Sequence, residues 1–157
     1  MREQRIELRR VKINSTAARG LTRALDAALL GLYPEEGTPL HLQLEDEEVA
    51  PGRGVFLVAY MNDNPSGCGA IRLLDADTAE VKRLYVQPEA RRAGLGRRLM
   101  ESLEAEARTL GARRMVLETG PRQPEALGLF SNTGFERTTA FGGYEDHPLS
   151  IFMGKTL

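Results

Sequence analysis

Two glycines and four arginines lie together in the middle of the chain, where residues Arg91 to Arg98 read R-R-A-G-L-G-R-R. Gly94 and Gly96 have no side chain, so a ligand can approach their backbone closely. A helix is predicted to begin near Leu95, and its first amides have no partner within the helix and lie at the positive end of its dipole. Such a helix start binds phosphate groups. The segment therefore predicts a site for a polyanion, and a pyrophosphate fits best.

A strand and a long helix must position this turn. The strand is predicted from Glu80 to Val86 and ends before Pro88, which has no N–H to give to a neighbouring strand. The helix is predicted from about Leu95 to Leu110, and Gly111 suits the left-handed residue just past its end. Its apolar residues recur at steps of three and four and predict one buried stripe: Leu95, Leu99, Met100, Leu103, Ala107 and Leu110.

Two other phosphate-binding motifs do not fit this turn. A P-loop needs Lys followed by Ser or Thr after its last glycine, and here Arg97 and Arg98 follow. A Rossmann fingerprint needs G-x-G-x-x-G near the start of a βαβ unit, whereas Arg91-x-x-Gly94-x-Gly96 lies mid-chain. This turn, preceded by L-Y-V-Q-P, resembles the acetyl-CoA signature of the GNAT N-acetyltransferase superfamily. The alternative is a glycine-rich turn capped by solvated arginines.

The composition narrows the class of protein to which this chain can belong. A length of 157 residues, 41% hydrophobic and 27% charged, predicts one soluble domain spanning residues 1–157. A net charge of −1 points to neither a nucleic-acid partner nor a membrane partner. The single cysteine, Cys68, excludes an internal disulfide and fits a cytoplasmic protein. The sequence shows no apolar run of membrane-spanning length, and its start does not read as a signal peptide.

The remaining segments complete the order β-α-loop-β-β-β-α-β-α-β-β. This order resembles the GNAT fold, which implies an α/β (α+β) mixed, mostly antiparallel sheet of about six to seven strands with helices on both faces. Leu40, Leu42 and Leu44 suit either a strand or a helical turn. The other predicted elements are strands at 4–13, 55–61, 67–74, 114–119 and 150–153, a short strand from Phe135, a helix after Asn14 that stops at Gly31, and a helix from Pro124 to Gly134.

The resemblance implies that acetyl-CoA is the co-substrate. Main-chain groups of β-strand residues would pair with its pantetheine arm, and the amides of the turn would hold its pyrophosphate. Gln123 stands where family members often have Asn, and Phe130 stands where many have Tyr. The cofactor-binding residues implied are Leu84, Tyr85, Val86, Arg91, Arg92, Ala93, Gly94, Leu95, Gly96, Arg97, Gln123 and Phe130.

The implied acceptor is a primary amine, which carries a proton at neutral pH because its pKa is near ~10. A base must remove that proton before the amine can attack a thioester. Glu80 is the first candidate and Glu118 the second, although Glu80 can equally pair with a cation of the sheet such as Lys82 or Arg83. A strand amide, most simply that of Val86, would stabilise the charge that develops on the thioester oxygen.

The usual proton donor of the family is missing, because Phe130 has no proton to give. Tyr144 and Tyr85 are the substitutes, and Tyr144 can instead pack as a lid over the acceptor. Phe141–Tyr144 and the loop at Tyr33 are expected to face the acceptor from opposite walls.

Three further features can be explained structurally as well as functionally. The acidic run Glu45–Glu48 is either a solvated face or a means of attracting a cationic amine. Cys68 suits a small buried residue better than an acetyl-carrying nucleophile. His41 and His147 lack metal-ligand spacing, so no metal is expected.

Three functions stay open at this point. A small-molecule amine acetyltransferase is favoured by the Pro- and Gly-rich loops between Leu32 and Gly54, and an N-terminal or lysine acetyltransferase of proteins is the alternative. The third function is a non-catalytic CoA-binding module, which is supported by Phe130 standing where many family members have Tyr. The sequence also leaves a homodimer open.

Overall fold

The structure is a computed structural model that describes residues 4–37 and 43–157. Three α-helices form in this part of the chain, namely α1 (Thr16–Leu32), α2 (Leu95–Thr109) and α3 (Pro124–Asn132). The strands there are β1 (Ile6–Arg10), β2 (Gly54–Met61), β3 (Asn64–Leu73), β4 (Thr78–Val86), β5 (Arg114–Thr119), β6 (Glu136–Arg137) and β7 (Ile151–Thr156). Short 3₁₀ turns lie at Pro34–Glu36, Asp46–Val49 and Pro88–Ala93.

The strands of the described residues form one mixed, seven-stranded sheet in the order β1-β2-β3-β4-β5-β7-β6. The neighbours β4 and β5 are parallel, and the other neighbouring strands are antiparallel. The helix α2 connects β4 to β5, and a strand reached through a crossover helix returns in the parallel direction. The predicted meander, the predicted parallel pair and the predicted mixed sheet are therefore confirmed.

Helices cover both faces of the sheet, as predicted. Along β2, Val55 and Leu57 belong to the apolar core under α2, whereas Phe56 and Val58 pack on the opposite face with α1. The helix α3 lies on the α2 face, where Phe130 joins the same core. Leu95, Leu99 and Leu103 of the α2 stripe are fully buried, and each contributes about 1.5–3 kcal/mol. The packing of α2 on the sheet therefore fixes the position of its first residues.

The turn between β2 and β3 is tighter than the sequence indicated. Asn62 and Asp63 both have positive φ, at 51° and 68°, which suits a two-residue hairpin turn. Asn64 and Pro65, which the sequence placed in the turn, already belong to β3. Asn and Asp tolerate the left-handed conformation, so two residues are enough to reverse the chain.

The predicted end of α1 at Gly31 is wrong. The helix continues to Leu32, and the amide of Tyr33 donates to the carbonyl of Leu29 at 2.8 Å. A side chain at Gly31 would meet nothing within 4 Å, so this glycine lies on an open face and imposes no break. Burial of Tyr33, which is 8% exposed, favours continuing the helix past Gly31.

The ends of β1 and β7 also differ from the predicted ones. β1 ends at Arg10 instead of Ile13, because Val11 and Ile13 pack against the α1 core. β7 runs to Thr156 instead of Met153, because its last residues still pair with Met115 and Arg114 of β5. Leu40 and Leu42 lie outside the described residues, while Leu44 packs against the α1 core.

Candidate active site

The parallel strands β4 and β5 separate in the middle of the sheet. Their pairing runs from Thr78 opposite Arg114 to Val81 opposite Leu117. Beyond that point β4 continues to Val86 without β5 beside it. A cavity of about 280 Å³ opens at the separation, with walls from α1, β4, β5, α3 and the loop before β7. The second half of β4 therefore has one edge open to the cavity.

A β-bulge lies directly after the last β4–β5 pair. On β3 only Gly69 lies between the partners of Tyr85 and Lys82, so Arg83 and Leu84 together oppose one residue. Arg83 has φ +59°, a left-handed conformation that costs a non-glycine residue about 1–2 kcal/mol. The backbone of β4 is therefore bent and strained where the cavity begins.

Groups from two elements hold this bulge. The guanidinium of Arg83 donates to the Asp26 carboxylate of α1 at 2.8 Å and to the carbonyl of Thr22 at 3.3 Å. The thiol of Cys68 donates to the carbonyl of Arg83 at 3.3 Å. Burial raises the pKa of the Cys68 thiol to about 12, so this group stays protonated and unreactive at neutral pH. That state matches the expected small buried cysteine.

The start of α2 has the geometry of an anion site. Gly94 precedes the helix with φ +77° and ψ +16°, a conformation that favours glycine. Its carbonyl accepts from Arg98 at 3.1 Å, so the amides of Leu95, Gly96 and Arg97 precede the first helical hydrogen bond. A Cβ at Gly94 would meet nothing within 4 Å, which leaves the backbone approachable. These residues fit a pyrophosphate.

The arginines around this turn are exposed and weakly held. Arg91 donates to the carbonyl of Val86 at 3.2 Å and lies 3.7 Å from Glu125. Arg97 lies 3.4 Å from Glu101, one helical turn further on. Exposed pairs of this kind are worth about 0–1 kcal/mol, so both arginines can turn toward an incoming anion.

Glu80 lies on β4 at the cavity and is only 1% exposed. Its Oε1 accepts from Nε of Arg72 at 3.0 Å, and its Oε2 accepts from the hydroxyl of Tyr144 at 2.8 Å. Arg72 also forms a close ion pair with Glu48. Glu80 thus lines the cavity and pairs with a cation of the sheet, while its role as general base stays a prediction.

Tyr144 belongs to a tight turn that brings it over the sheet. Gly142 and Gly143 have φ values of +56° and +87°, and the amide of Tyr144 donates to Phe141 at 2.9 Å. Its ring packs against Phe141 and Phe152, with centroids 5.3 and 5.8 Å away. Burial and the charge of Glu80 raise the pKa of Tyr144 above its ordinary value. The hydroxyl is therefore protonated at neutral pH and serves as a donor.

The opposite wall carries Tyr33, at the end of α1. Its hydroxyl accepts from the amide of Arg122 at 3.0 Å and lies 3.2 Å from Oε1 of Gln123, to which it donates. A Cβ at Gly120 would lie 2.0 Å from this hydroxyl, so glycine is required there. At the rim, His147 lies 3.5 Å from Glu36 and brings the loop before β7 close to the end of α1.

The sequence-predicted site residues fall into two groups. The first lines the cavity: Glu80, Leu84, Glu118, Gln123, Phe130 and Tyr144. The second lies outside it, on the last part of β4 and around the start of α2: Tyr85, Val86, Arg91, Arg92, Ala93, Gly94, Leu95, Gly96 and Arg97. Phe130 is 5% exposed and its ring centroid lies 6.0 Å from that of Phe135.

Sequence reasoning missed three members of the site. Arg72 and Glu48 complete the Glu80 network, and Lys82 lines the cavity with its Nζ donating to Gln43 at 3.2 Å. Burial lowers the pKa of Lys82 below its ordinary value. The strand alternation of β3 places Arg72 on the α1 face, but only the register of β3 with β4 brings it opposite Glu80.

Within residues 4–37 and 43–157, no three His, Cys, Asp or Glu side chains gather as a metal site would require. None of the helices in the same ranges combines the length and the apolar character needed to cross a membrane.

A mixed sheet whose parallel pair opens beside a cavity, next to a helix that follows a left-handed glycine, is typical of the N-acetyltransferase class of fold. Comparison with known families agrees with this class. The family described as Acetyltransferase (GNAT) matches residues 19–135. The chain belongs to the GNAT family.

Individual relatives lie within the same class. An IAA acetyltransferase of Azospirillum brasilense is 41% identical over 138 residues, covering 87% of this chain and 88% of the relative. A solved protein of Klebsiella pneumoniae assigned to the acyl-CoA N-acyltransferases is 31% identical with a TM-score of 0.81, covering 97% of each chain. A GNAT acetyltransferase of Elizabethkingia anophelis, solved with acetyl-CoA bound, is 18% identical with a TM-score of 0.67, covering 97% of this chain and 98% of that one; it supports the fold alone.

Proposed function

We propose that this protein transfers an acetyl group from acetyl-CoA to the primary amine of a small molecule, with Glu80 as the general base. The observation that carries the proposal is the buried Glu80 carboxylate, which lies at the cavity where β4 and β5 separate. A carboxylate there can take a proton from a bound amine.

Acetyl-CoA supplies the acetyl group as a thioester. The main chain of Leu84, Tyr85 and Val86 would hold its pantetheine arm, because β4 has no neighbour on the β5 side there. The amides around Gly94 and Gly96 would hold its pyrophosphate. Gln123, at the cavity beside Tyr33, is a further contact for the arm. Membership of the acetyltransferase (GNAT) family supports this choice of co-substrate.

Both oxygens of Glu80 already accept hydrogen bonds. The amine proton therefore reaches the carboxylate through Tyr144, whose hydroxyl takes up one proton as it gives its own to Glu80. A raised pKa keeps this hydroxyl protonated between turnovers, which suits a relay better than a permanent phenolate base. Amides of β4, with Val86 as first candidate, would stabilise the oxyanion, and the thiolate leaves without an enzyme acid because its pKa is near ~8.5.

A small acceptor is favoured by the dimensions of the site. The cavity of about 280 Å³ is walled by α1, α3 and the loop before β7, and His147 and Glu36 approach each other at its rim. Small-molecule sites are clefts or cavities of this kind.

A turnover assay tests the proposal. Release of CoA thiol is measured with a panel of amines for the wild type, for Glu80→Gln and for Glu136→Gln, an exposed residue of β6 that serves as control. We expect Glu80→Gln to lower kcat by about 10²–10⁴ with little change in CoA affinity, and the control to match the wild type.

Other outcomes contradict the proposal in distinct ways. Tight CoA binding without thiol release for any amine would favour the non-catalytic CoA-binding module. Release with peptide amines alone would favour a protein acetyltransferase. Full activity of Glu80→Gln would remove Glu80 from the mechanism.

A further inference from the structure

The left-handed arginine of β4 is the most unusual backbone feature beside the cavity. Asn62 and Asp63 also have positive φ, but they form a hairpin turn where such values are common. Arg83 instead lies within a central strand, is 7% exposed, and occupies the bulge position at which a left-handed residue is usually glycine. Because glycine would fit without strain, the arginine side chain must compensate for the conformation that it occupies.

The bulge changes which face of the sheet Arg83 addresses. Val81 belongs to the core on the α2 face, so regular alternation would direct Arg83 there too. Instead Arg83 reaches Asp26 and Thr22 of α1, on the same face as Lys82 and Glu80. Alternation then resumes, with Leu84 on the α2 face and Tyr85 on the α1 face.

The ion pair is placed to hold this arrangement. The Arg83 side chain is 5% exposed, so its charge requires a partner, and Asp26 supplies one from α1 at 2.8 Å. The contact with α1 forms only while the bulge turns Arg83 to that face. Loss of Asp26 would leave a buried cation in a strained backbone, which favours a shift of β4.

We infer that Asp26 and Arg83 are positioning residues, whose ion pair holds the β4 bulge and thereby sets the main chain of Leu84 and Tyr85 for the CoA arm. The inference rests on the proposed function for the ligand. Neither side chain needs to touch the reacting atoms, because the effect passes through the backbone of β4.

The test compares two ways of removing the arginine. Arg83→Ala loses the ion pair and keeps the strain, whereas Arg83→Gly loses the ion pair and relieves the strain. We expect coenzyme A to bind Arg83→Ala and Asp26→Ala about tenfold more weakly than the wild type, measured by calorimetry. Arg83→Gly should stay within about threefold, and adding Asp26→Ala to it should change nothing further.

Glu106→Gln is the matched control, because it breaks the 2.7 Å ion pair of Glu106 with Arg10 far from the cavity. It should leave CoA affinity unchanged. If all the variants bind coenzyme A as the wild type does and differ only in melting temperature, the pair is a stabilising contact and the inference fails.

Amide hydrogen exchange in the free protein gives a second readout. Leu84 and Tyr85 should exchange faster in Asp26→Ala and Arg83→Ala than in the wild type or in Arg83→Gly. Unchanged exchange in Asp26→Ala and Arg83→Ala overturns the inference. Faster exchange in these variants with an unchanged affinity for coenzyme A overturns it too. A wild type that binds no coenzyme A would refute the proposed function instead, while exchange would still show whether the pair holds the bulge.

Discussion

The start of α2 is built from consecutive residues, whereas the Glu80 network draws on four separate segments that carry Glu48, Arg72, Glu80 and Tyr144. The first depends on the conformation of a glycine and on amides that any sequence would supply. The second depends on charged side chains brought together by the sheet. The two regions should therefore fail differently: changes at the first should weaken coenzyme binding, and changes at the second should slow turnover.

The largest expected effect is that of Arg72→Leu, which leaves Glu80 buried without its cation. Breaking a buried ion pair by removing one partner costs about 3–5 kcal/mol, so chemical denaturation should show a loss near the lower end, because Arg72 is partly exposed. Below its melting temperature the variant should bind coenzyme A normally and turn over slowly. Arg10→Leu, which breaks an exposed pair, should cost less than about 1 kcal/mol. Equal losses in both variants would contradict a special role for Arg72.

Tyr144→Phe should come next. It removes a hydrogen bond to a charged group while keeping the ring that packs on Phe141 and Phe152. Such bonds are worth about 1.5–3 kcal/mol, so kcat should fall by about tenfold or more, with an unchanged KM for acetyl-CoA. A rise in that KM with kcat preserved would place Tyr144 in coenzyme binding and blur the distinction between the two regions.

Gly94→Ala should produce the opposite pattern. Its φ of +77° costs alanine about 1–2 kcal/mol, so coenzyme A should bind several-fold more weakly while kcat at saturation is kept. Gly96→Ala is the comparison, because Gly96 has no positive φ and its added Cβ would meet the flexible end of Leu129 at 3.0 Å and Val86 at 3.8 Å. It should weaken coenzyme A binding less than Gly94→Ala does, without lowering the melting temperature. Gly94→Ala should also lower the melting temperature. A melting temperature equal to that of the wild type would show that the left-handed glycine is not required.

Glu48→Gln should have the smallest effect, and one that depends on pH. Burial raises the pKa of Glu48, but the Glu45 amide and Arg72 more than offset it and hold the pKa below its ordinary value of 4.5. Its stabilising contribution is therefore present above pH 4.5 and is lost as the pH falls through the folded-state pKa. The difference in melting temperature between wild type and Glu48→Gln should shrink below pH 4.5, and a constant difference would contradict the ion pair.

Local patterns, together with the resemblance to the GNAT family, predicted the fold class and named residues that line the cavity. The apolar steps of three and four located α2, Pro88 marked the end of β4, and the predicted bounds of β5 agree with those observed. Glu80 and Tyr144 were predicted to serve the same chemistry, and the structure brings them within 2.8 Å. The prediction at Gly31 failed because a buried tyrosine two residues later outweighed a weak helix breaker.

The contacts that complete the site had no local signal. Arg72 meets Glu80 only through the register of β3 with β4, and Glu48 reaches Arg72 from a separate turn. The sequence gives no sign of the left-handed conformation of Arg83 either. A strand-like stretch without glycine predicts side chains that alternate regularly between the two faces of the sheet.

The sequence by itself determined the elements whose causes lie within a few residues: the apolar stripe of α2, the left-handed Gly94 before it and the alternating strands. The tertiary structure decided which charges meet, because hydrogen bonds between distant segments depend on strand register and helix packing. It also decided where β4 bends, because the left-handed Arg83 is held by contacts with α1 and β3.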